Sequence, residues 1–346
     1  MQLTNLQPTF SSTFLPPTMQ RARDGMILHQ ALHVVAKLNV ADLLEAGFGT
    51  AADLARELKV NEGALYRTLR LLASQGIFEE TCARTFRNTA TSSLLRTGVP
   101  GSVRALFVFW GGEFCYPCFG DLLYSVQTGE PSRTKLAGMD GFEYLRQNPE
   151  LARIFDDAMT TMSELTGPAI AAAYDFGAWG SLMDVGGGNG ILLAHILRAH
   201  HGLRGVLADQ VSVLERARQR NFLGGDLEAR ATMEPCDFFQ AIPSGCRAYL
   251  MKSVIHDWTD EQSRTILLNC RKAIPANGAL LLVEFALAGE NLPSTGKFID
   301  LAMLVLTGGR ERTVDEYREL LASGGFRLNQ VIQTPAEFAI IEAIPA

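Results

Sequence analysis

Apolar positions follow two kinds of spacing along this chain. From Arg23 to Leu44 they recur at helical intervals, at Ile27, Leu28, Ala31, Leu32, Val34, Val35 and Leu38. Thr50-Ala-Ala-Asp53 opens a short helix that reaches Leu58, and after Lys59-Val60-Asn61 a second runs from Glu62 to Ser74. Gln75 to Glu79 turns into the first of two short strands, with Phe86-Arg87-Asn88 as the return. Two helices followed by a hairpin predict a winged helix-turn-helix. Residues 91 to about 166 read as mostly helical and unusually apolar, with aromatics gathered in Val103–Trp110 and Phe114–Phe119.

The second half alternates strand and helix. Leu182, Met183 and Val185 form an apolar run that breaks at Gly186-Gly187-Gly188-Asn189-Gly190 and resumes as a helix rich in Leu and Ala. Gly205–Ala208, Arg230–Glu234, Ala248–Lys252 and Ala279–Glu284 predict further strands. Thr259-Asp-Glu-Gln262 and Thr313-Val-Asp-Glu316 are capping boxes that start helices. Phe326–Ile332 and Glu337–Ile344 predict a closing hairpin. The fold class is therefore α/β: a C-terminal Rossmann-like domain with a mostly parallel sheet and a closing antiparallel hairpin, and an N-terminal, mainly α, winged-helix domain. The expected division is an arm over 1–20, the winged-helix domain over 21–100, a helical linker and pocket region over 101–166, and the Rossmann-like domain over 167–346.

Bulk properties narrow the function. With 346 residues and 47% hydrophobic content the chain has room for two domains with sizeable cores. A winged helix raises DNA binding as a rival, but residues 1–100 carry ten Lys or Arg against eight Asp or Glu, and the net charge is −6. The recognition helix would offer only Arg67 and Arg70, while Leu65, Leu69, Leu71 and Leu72 make it a packing surface. The winged domain is thus expected to dimerise or pack, with no nucleic-acid partner. Six cysteines are scattered at 82, 115, 118, 236, 246 and 270 without a framework pattern, which fits a reducing cytoplasm. Cys115-Tyr-Pro-Cys118 has no second pair beside it, so no metal is expected. The first residues lack the basic region and apolar core of a signal peptide, and no apolar run approaches membrane-spanning length, so no membrane partner is expected.

The glycine run decides the ligand class. A dinucleotide site needs G-x-G-x-x-G, and counting from Gly186 the third glycine would fall on Ile191. The actual spacing is G-x-G-x-G, preceded by Asp184. A carboxylate there repels pyrophosphate and favours a cation, and S-adenosylmethionine carries a sulfonium and an ammonium. Asp209, at the end of the next strand, is placed for a ribose diol. Ligands bind beyond the carboxyl ends of parallel strands. Asp184, Asp209, His256 and Glu284 all fall at or just past such ends. Asp237-Phe238, after the third strand, suits adenine, one for the amine and one for the ring face, although an ordinary polar turn explains it equally well. Trp110, Phe155, Met159 and Met162 read either as core or as walls of a pocket for a flat aromatic substrate.

Taken together, DVGGGNG, KSVIHDWTDE, LLLVE and GGRERT resemble the S-adenosylmethionine-dependent O-methyltransferases of the plant caffeate and bacterial polyketide type, over nearly the whole chain. The resemblance implies a homodimer joined through the winged domain, each subunit closing part of its neighbour's pocket. It implies His256 as the base, flanked by Glu284 and Glu311, with cofactor contacts at Gly186, Asp209, Asp237, Phe238 and Lys252. Asp184 and Gly188 of the glycine loop join that cofactor set, and Asp257 and Met303 join the substrate-facing set. Two positions depart from the family: Gln210-Val211 replaces the usual Leu-Pro after Asp209, and Cys236 replaces a common glycine before Asp237. Relatives that have lost methyl transfer generally lack the histidine, so His256 with both glutamates implies an active enzyme. The expected reaction is methylation of a hydroxyl, expected to be phenolic, on a small aromatic or natural product. The alternative is a ligand-responsive winged-helix regulator of DNA with a non-catalytic second domain.

Overall fold

The computed structural model describes residues 15–346. Positions 1–14 of the expected arm lie outside the described residues, while Pro17–Gln20 already form helix. Two compact units emerge, dividing between Gly112 and Glu113.

In the first unit α1 (Pro17–Lys37) has proline at its first position, where the missing N–H has no helical partner to lose. The single helical run expected from Arg23 to Leu44 is interrupted: Asn39 adopts φ 55° and α2 (Val40–Glu45) starts afresh. Asparagine tolerates that conformation, and because Val40 and Ala41 are buried as well, the apolar spacing runs through the break unchanged. α3 (Ala51–Leu58) and α4 (Glu62–Ser74) begin where expected, with Thr50 accepting from the Asp53 N–H at 3.1 Å and Asn61 from the Ala64 N–H at 2.9 Å. Leu65, Leu69 and Leu72 of α4 are buried. β1 (Phe78–Cys82) and β2 (Thr85–Asn88) form the antiparallel wing. α5 (Ala90–Ser93) and α6 (Arg104–Trp110) complete the unit.

The second unit opens with helices α7 (Tyr116–Gly120), α8 (Leu122–Thr128), α9 (Ser132–Ala137), α10 (Gly141–Gln147) and α11 (Pro149–Ala173). The 166/167 division expected from sequence falls inside α11, which runs on through Pro168. The carbonyl freed by that proline belongs to Glu164, an exposed residue whose carbonyl can turn to water. Strands and helices then alternate: β3 (Ser181–Val185), α12 (Ile191–Ala199), β4 (Arg204–Asp209), α13 (Val211–Arg220), β5 (Ala231–Pro235), β6 (Ala248–Lys252), α14 (Asp260–Ala273), β7 (Ala279–Glu284), α15 (Thr295–Leu306), α16 (Val314–Ser323), β8 (Phe326–Gln333) and β9 (Ala339–Pro345). The sheet order is β5-β4-β3-β6-β7-β9-β8, parallel from β5 to β7 and antiparallel in the closing hairpin.

Alternation along the strands fills both faces of this sheet. Met183, Tyr249, Met251, Leu280 and Leu282 point to one side, against α14 and α16. Leu182, Leu207, Leu250, Leu281 and Val283 point to the other, against Leu193, Ile196 and Leu197 of α12. Each such side chain contributes about 1.5–3 kcal/mol of burial, so every polar group left at a strand end is held in a rigid frame. Strand order reverses between β3 and β6, and that is where an α/β sheet opens a crevice for ligand.

Candidate functional site

The glycine loop leaves β3 at this crevice. Gly186, Gly188 and Gly190 have φ of 71°, 60° and 81°, a left-handed run that side chains would strain. Gly187 is fixed by space instead: a Cβ there would sit 2.6 Å from the Asp184 carboxylate and 2.5 Å from Leu207. Asp209 closes the loop, one carboxylate oxygen accepting from the Gly188 N–H at 2.9 Å and the other from the Gln210 N–H at 2.7 Å. The Gln210 that departs from the family pattern is thereby tied to the acid before it. Cys236, the other departure, is buried and donates its N–H to the Asp209 carbonyl at 2.9 Å.

Asp184 sits at the head of this loop, buried, with neither carboxylate oxygen partnered. Burial, with the Asp209 charge adding to it and Lys252 opposing it, pushes the Asp184 carboxyl up to about 7. Burial lowers Lys252 to about 8 against the pull of Glu284 and Asp184. A buried, orphaned carboxylate beside open-backboned glycines fits a cationic ligand and does not fit a pyrophosphate. The residues therefore suit S-adenosylmethionine.

The second half of the site is the turn after β6. Ser253 adopts φ 52°, and Glu284 at the end of β7 stabilises the turn by accepting from the Val254 and Ile255 N–H groups at 3.2 and 2.9 Å. His256 follows, buried, with Nδ1 2.6 Å from Glu311 Oε1 and 3.9 Å from Glu284 Oε2. Asp257 lies 3.9 Å from the other ring nitrogen, Nε2. Burial raises Glu284 and Asp257 to about 7 each and Glu311 to about 8, where the Asp300 charge adds and Arg312 opposes. The His256, Glu284 and Glu311 ligand atoms lie within 4.8 Å of one another, close enough for a metal ion. Yet Nδ1 is engaged by Glu311 and Glu284 is half committed to backbone, which suits the set to handling a proton.

An aromatic track runs from this turn to α11. Phe142 stacks on Trp258 at 5.3 Å and meets Phe155 edge-on at 6.3 Å, while Phe238 and Phe239, in the turn after β5, close on Trp258 at 6.1 and 4.7 Å. Phe238 also approaches Gly186, and Asp237 beside it is exposed. Met159 and Met162 are half-buried on α11, whose Thr160 accepts from the Asn189 side chain at 2.8 Å and so reaches the glycine loop. Met303 is buried on α15, one turn after Asp300, whose carboxylate accepts from the Glu311 N–H at 2.9 Å. The structure thus gathers fifteen of the sixteen expected site residues in the second unit. Trp110 belongs to the first, where it lines an apolar cavity of about 460 Å³ with His29, Ile77 and Phe107. Sequence reasoning missed Gly187, Asn189, Thr160, Phe142, Asp300, Gly309 and Arg312. Of these Gly187 and Asn189 carried a signal in their place inside the glycine run, and Gly309 and Arg312 in their place inside GGRERT.

Comparison with known proteins fixes the class. A family model described as an O-methyltransferase domain matches residues 119–327, and another, an O-methyltransferase dimerisation domain, matches 21–98. The chain belongs to the O-methyltransferase family and is an S-adenosylmethionine-dependent methyltransferase of the natural-product type. It is 39% identical to the phenazine O-methyltransferase of Lysobacter antibioticus, over 93% of this chain and 94% of that one. A solved O-methyltransferase of neocarzinostatin biosynthesis, in complex with S-adenosylmethionine and 2-hydroxy-5-methyl naphthoic acid, is similar with a TM-score of 0.80 and 32% identity, covering 92% of this chain and 96% of that one. The family also reaches other chemistry: aclacinomycin 10-hydroxylase of Streptomyces purpurascens is 36% identical over 92% of this chain and 87% of that one. The regulator alternative finds no support in these matches. Among the described residues no helix is long and apolar enough to cross a membrane.

Proposed function

We propose that this enzyme methylates a phenolic hydroxyl of a small aromatic or natural-product acceptor, with His256 as general base. The hydrogen bond between His256 Nδ1 and Glu311 is the observation that carries this reading. A proton on Nδ1 leaves Glu311 as the ionised acceptor and Nε2 with the lone pair; because burial pushes Glu311 up to about 8, this form gains as pH rises toward 8. The acceptor proton then passes to Nε2, and Glu311 stabilises the imidazolium that results. Glu284 supports this from behind, by fixing the backbone on which His256 stands. S-adenosylmethionine, when bound, supplies a methyl group already activated by the sulfonium charge. What the chain must add is alignment at near-attack distance and removal of one proton.

On this reading Asp184 faces the cationic end of the cofactor and Gly186 and Gly188 let it approach. Asp209 takes the ribose diol and Asp237 with Phe238 the adenine, while Lys252 holds the charge balance beneath. Phe155, Met159, Met162, Asp257 and Met303 face the acceptor. The working form is a homodimer joined through the N-terminal domain. Replacing His256 with Gln should lower turnover of a phenolic acceptor by about 10²–10⁴ and leave calorimetric binding of S-adenosylmethionine unchanged. Near wild-type turnover would remove the base assignment.

A further inference from the structure

Arg312 is the fully buried arginine of the second unit, and its hydrogen bonds go to backbone carbonyls and to Asp260. Its guanidinium holds the peptide on both sides of His256. Nη1–H donates to the Ile255 carbonyl at 3.3 Å and Nη2–H to the Trp258 carbonyl at 3.1 Å. Nη1 also donates to the Arg310 carbonyl at 3.1 Å, within its own segment. Nε and Nη2 converge on Asp260 Oδ1, at 3.0 and 2.8 Å, in the first turn of α14. The backbone of Arg312 is fixed in turn, its carbonyl accepting from the Leu287 N–H at 2.9 Å as the segment pairs with Ala286.

Glu311 is the neighbouring residue, so the same few atoms set both partners of the Nδ1–Glu311 contact. Gly309 adds a second constraint. A Cβ there would lie 1.9 Å from the His256 carbonyl oxygen and 2.4 Å from the Asp257 carbonyl carbon, so the two backbones meet without room for any side chain. Asp300 fixes the far side through the Glu311 N–H. A planar fork with five donors can bind three carbonyls and a carboxylate at once; an ammonium cannot match those directions.

We propose that Arg312, clamped by Asp260, is a positioning residue for the reaction: it sets the separation of His256 and Glu311 and so the tautomer and aim of the base. The proposal rests on the reading of His256 as base. Its test is Arg312→Lys in the full chain, with Asp260→Asn beside it as a variant altered at a half-exposed side chain. Turnover, affinity for S-adenosylmethionine and the low-field proton resonance of nitrogen-labelled His256 would be followed together.

The expected result is a folded Arg312→Lys with turnover reduced by about a hundredfold, unchanged cofactor affinity, and a low-field proton that is lost or shifted upfield. Asp260→Asn should fall between it and wild type, and it decides the matter if Arg312→Lys does not fold. Wild-type turnover with an unmoved resonance, in whichever variant decides, would overturn the proposal. A parallel fall of turnover, cofactor affinity and melting temperature would also overturn it, because that is plain loss of structure. An active His256→Gln would remove the base reading by itself, whereas the resonance in Arg312→Lys still reports whether this arginine sets the ring.

Discussion

Both carboxylate oxygens of Asp184 are buried without a partner, in a chain where Asp209 and Glu284 each find backbone N–H groups. Its carboxyl, pushed up to about 7 in the fold, stands above the ordinary aspartate value of 3.8. The stabilisation that this raised value represents is fully present below the unfolded pKa and is lost as pH rises through about 7. A cationic ligand reverses the preference, since it favours the ionised form. Affinity for S-adenosylmethionine should therefore strengthen between pH 6 and pH 8, with proton release on binding below about 7. Asp184→Asn should flatten that dependence; calorimetry in buffers of different ionisation enthalpy measures both. Asp184 was legible in the sequence because an acid closing an apolar strand before a glycine run is out of place as packing. The roles of Arg312, Gly309 and Asp300 were not. Those roles come from contacts with segments far along the chain, and as residue types in GGRERT or an apolar helix the three carry no mark of them.

β7 and the turn after β6 are coupled as elements through Glu284. The turn contains Ser253 in a left-handed conformation, places Val254 against Gly186 and presents His256, so one carboxylate steadies both the glycine-loop side and the His256 side. Glu284→Ala should leave two buried N–H groups unpaired and cost about 2–5 kcal/mol of stability by chemical unfolding. Glu284→Gln keeps an acceptor oxygen and should retain most of it; equal losses in both variants would count against the anchoring role. Strands of this half were readable because burial on both faces leaves apolar runs bounded by glycine and acid. Helix limits read less well. The break at Asn39 was hidden because Leu38 and Val40 continue the apolar spacing, and Pro168 did not end α11 because the carbonyl it leaves without a donor belongs to exposed Glu164.

For the whole molecule, the first unit matches a dimerisation domain and leaves apolar side chains of α1 uncovered, Met19 at 62%, Met26 at 58% and Ile27 at 52% exposure. Light scattering should give twice the chain mass of 37.8 kDa. Met26→Asp combined with Ile27→Asp should shift it toward the single chain, and an unshifted dimer would place the interface elsewhere. Arg67 and Arg70 remain exposed on α4, yet its leucines are turned inward as the packing reading required. The order of strands in the sheet has a consequence for how the protein is made. β7, buried at all six positions and carrying Glu284, lies between β6 and β9. On the ribosome β6 arrives before it, but its other neighbour follows only after α15, α16 and β8. Throughout that interval the nascent chain exposes an apolar, unpaired edge. A message that stops short of residue 339 would leave that edge uncovered for good, so quality control, rather than lost chemistry, would decide the fate of such a product.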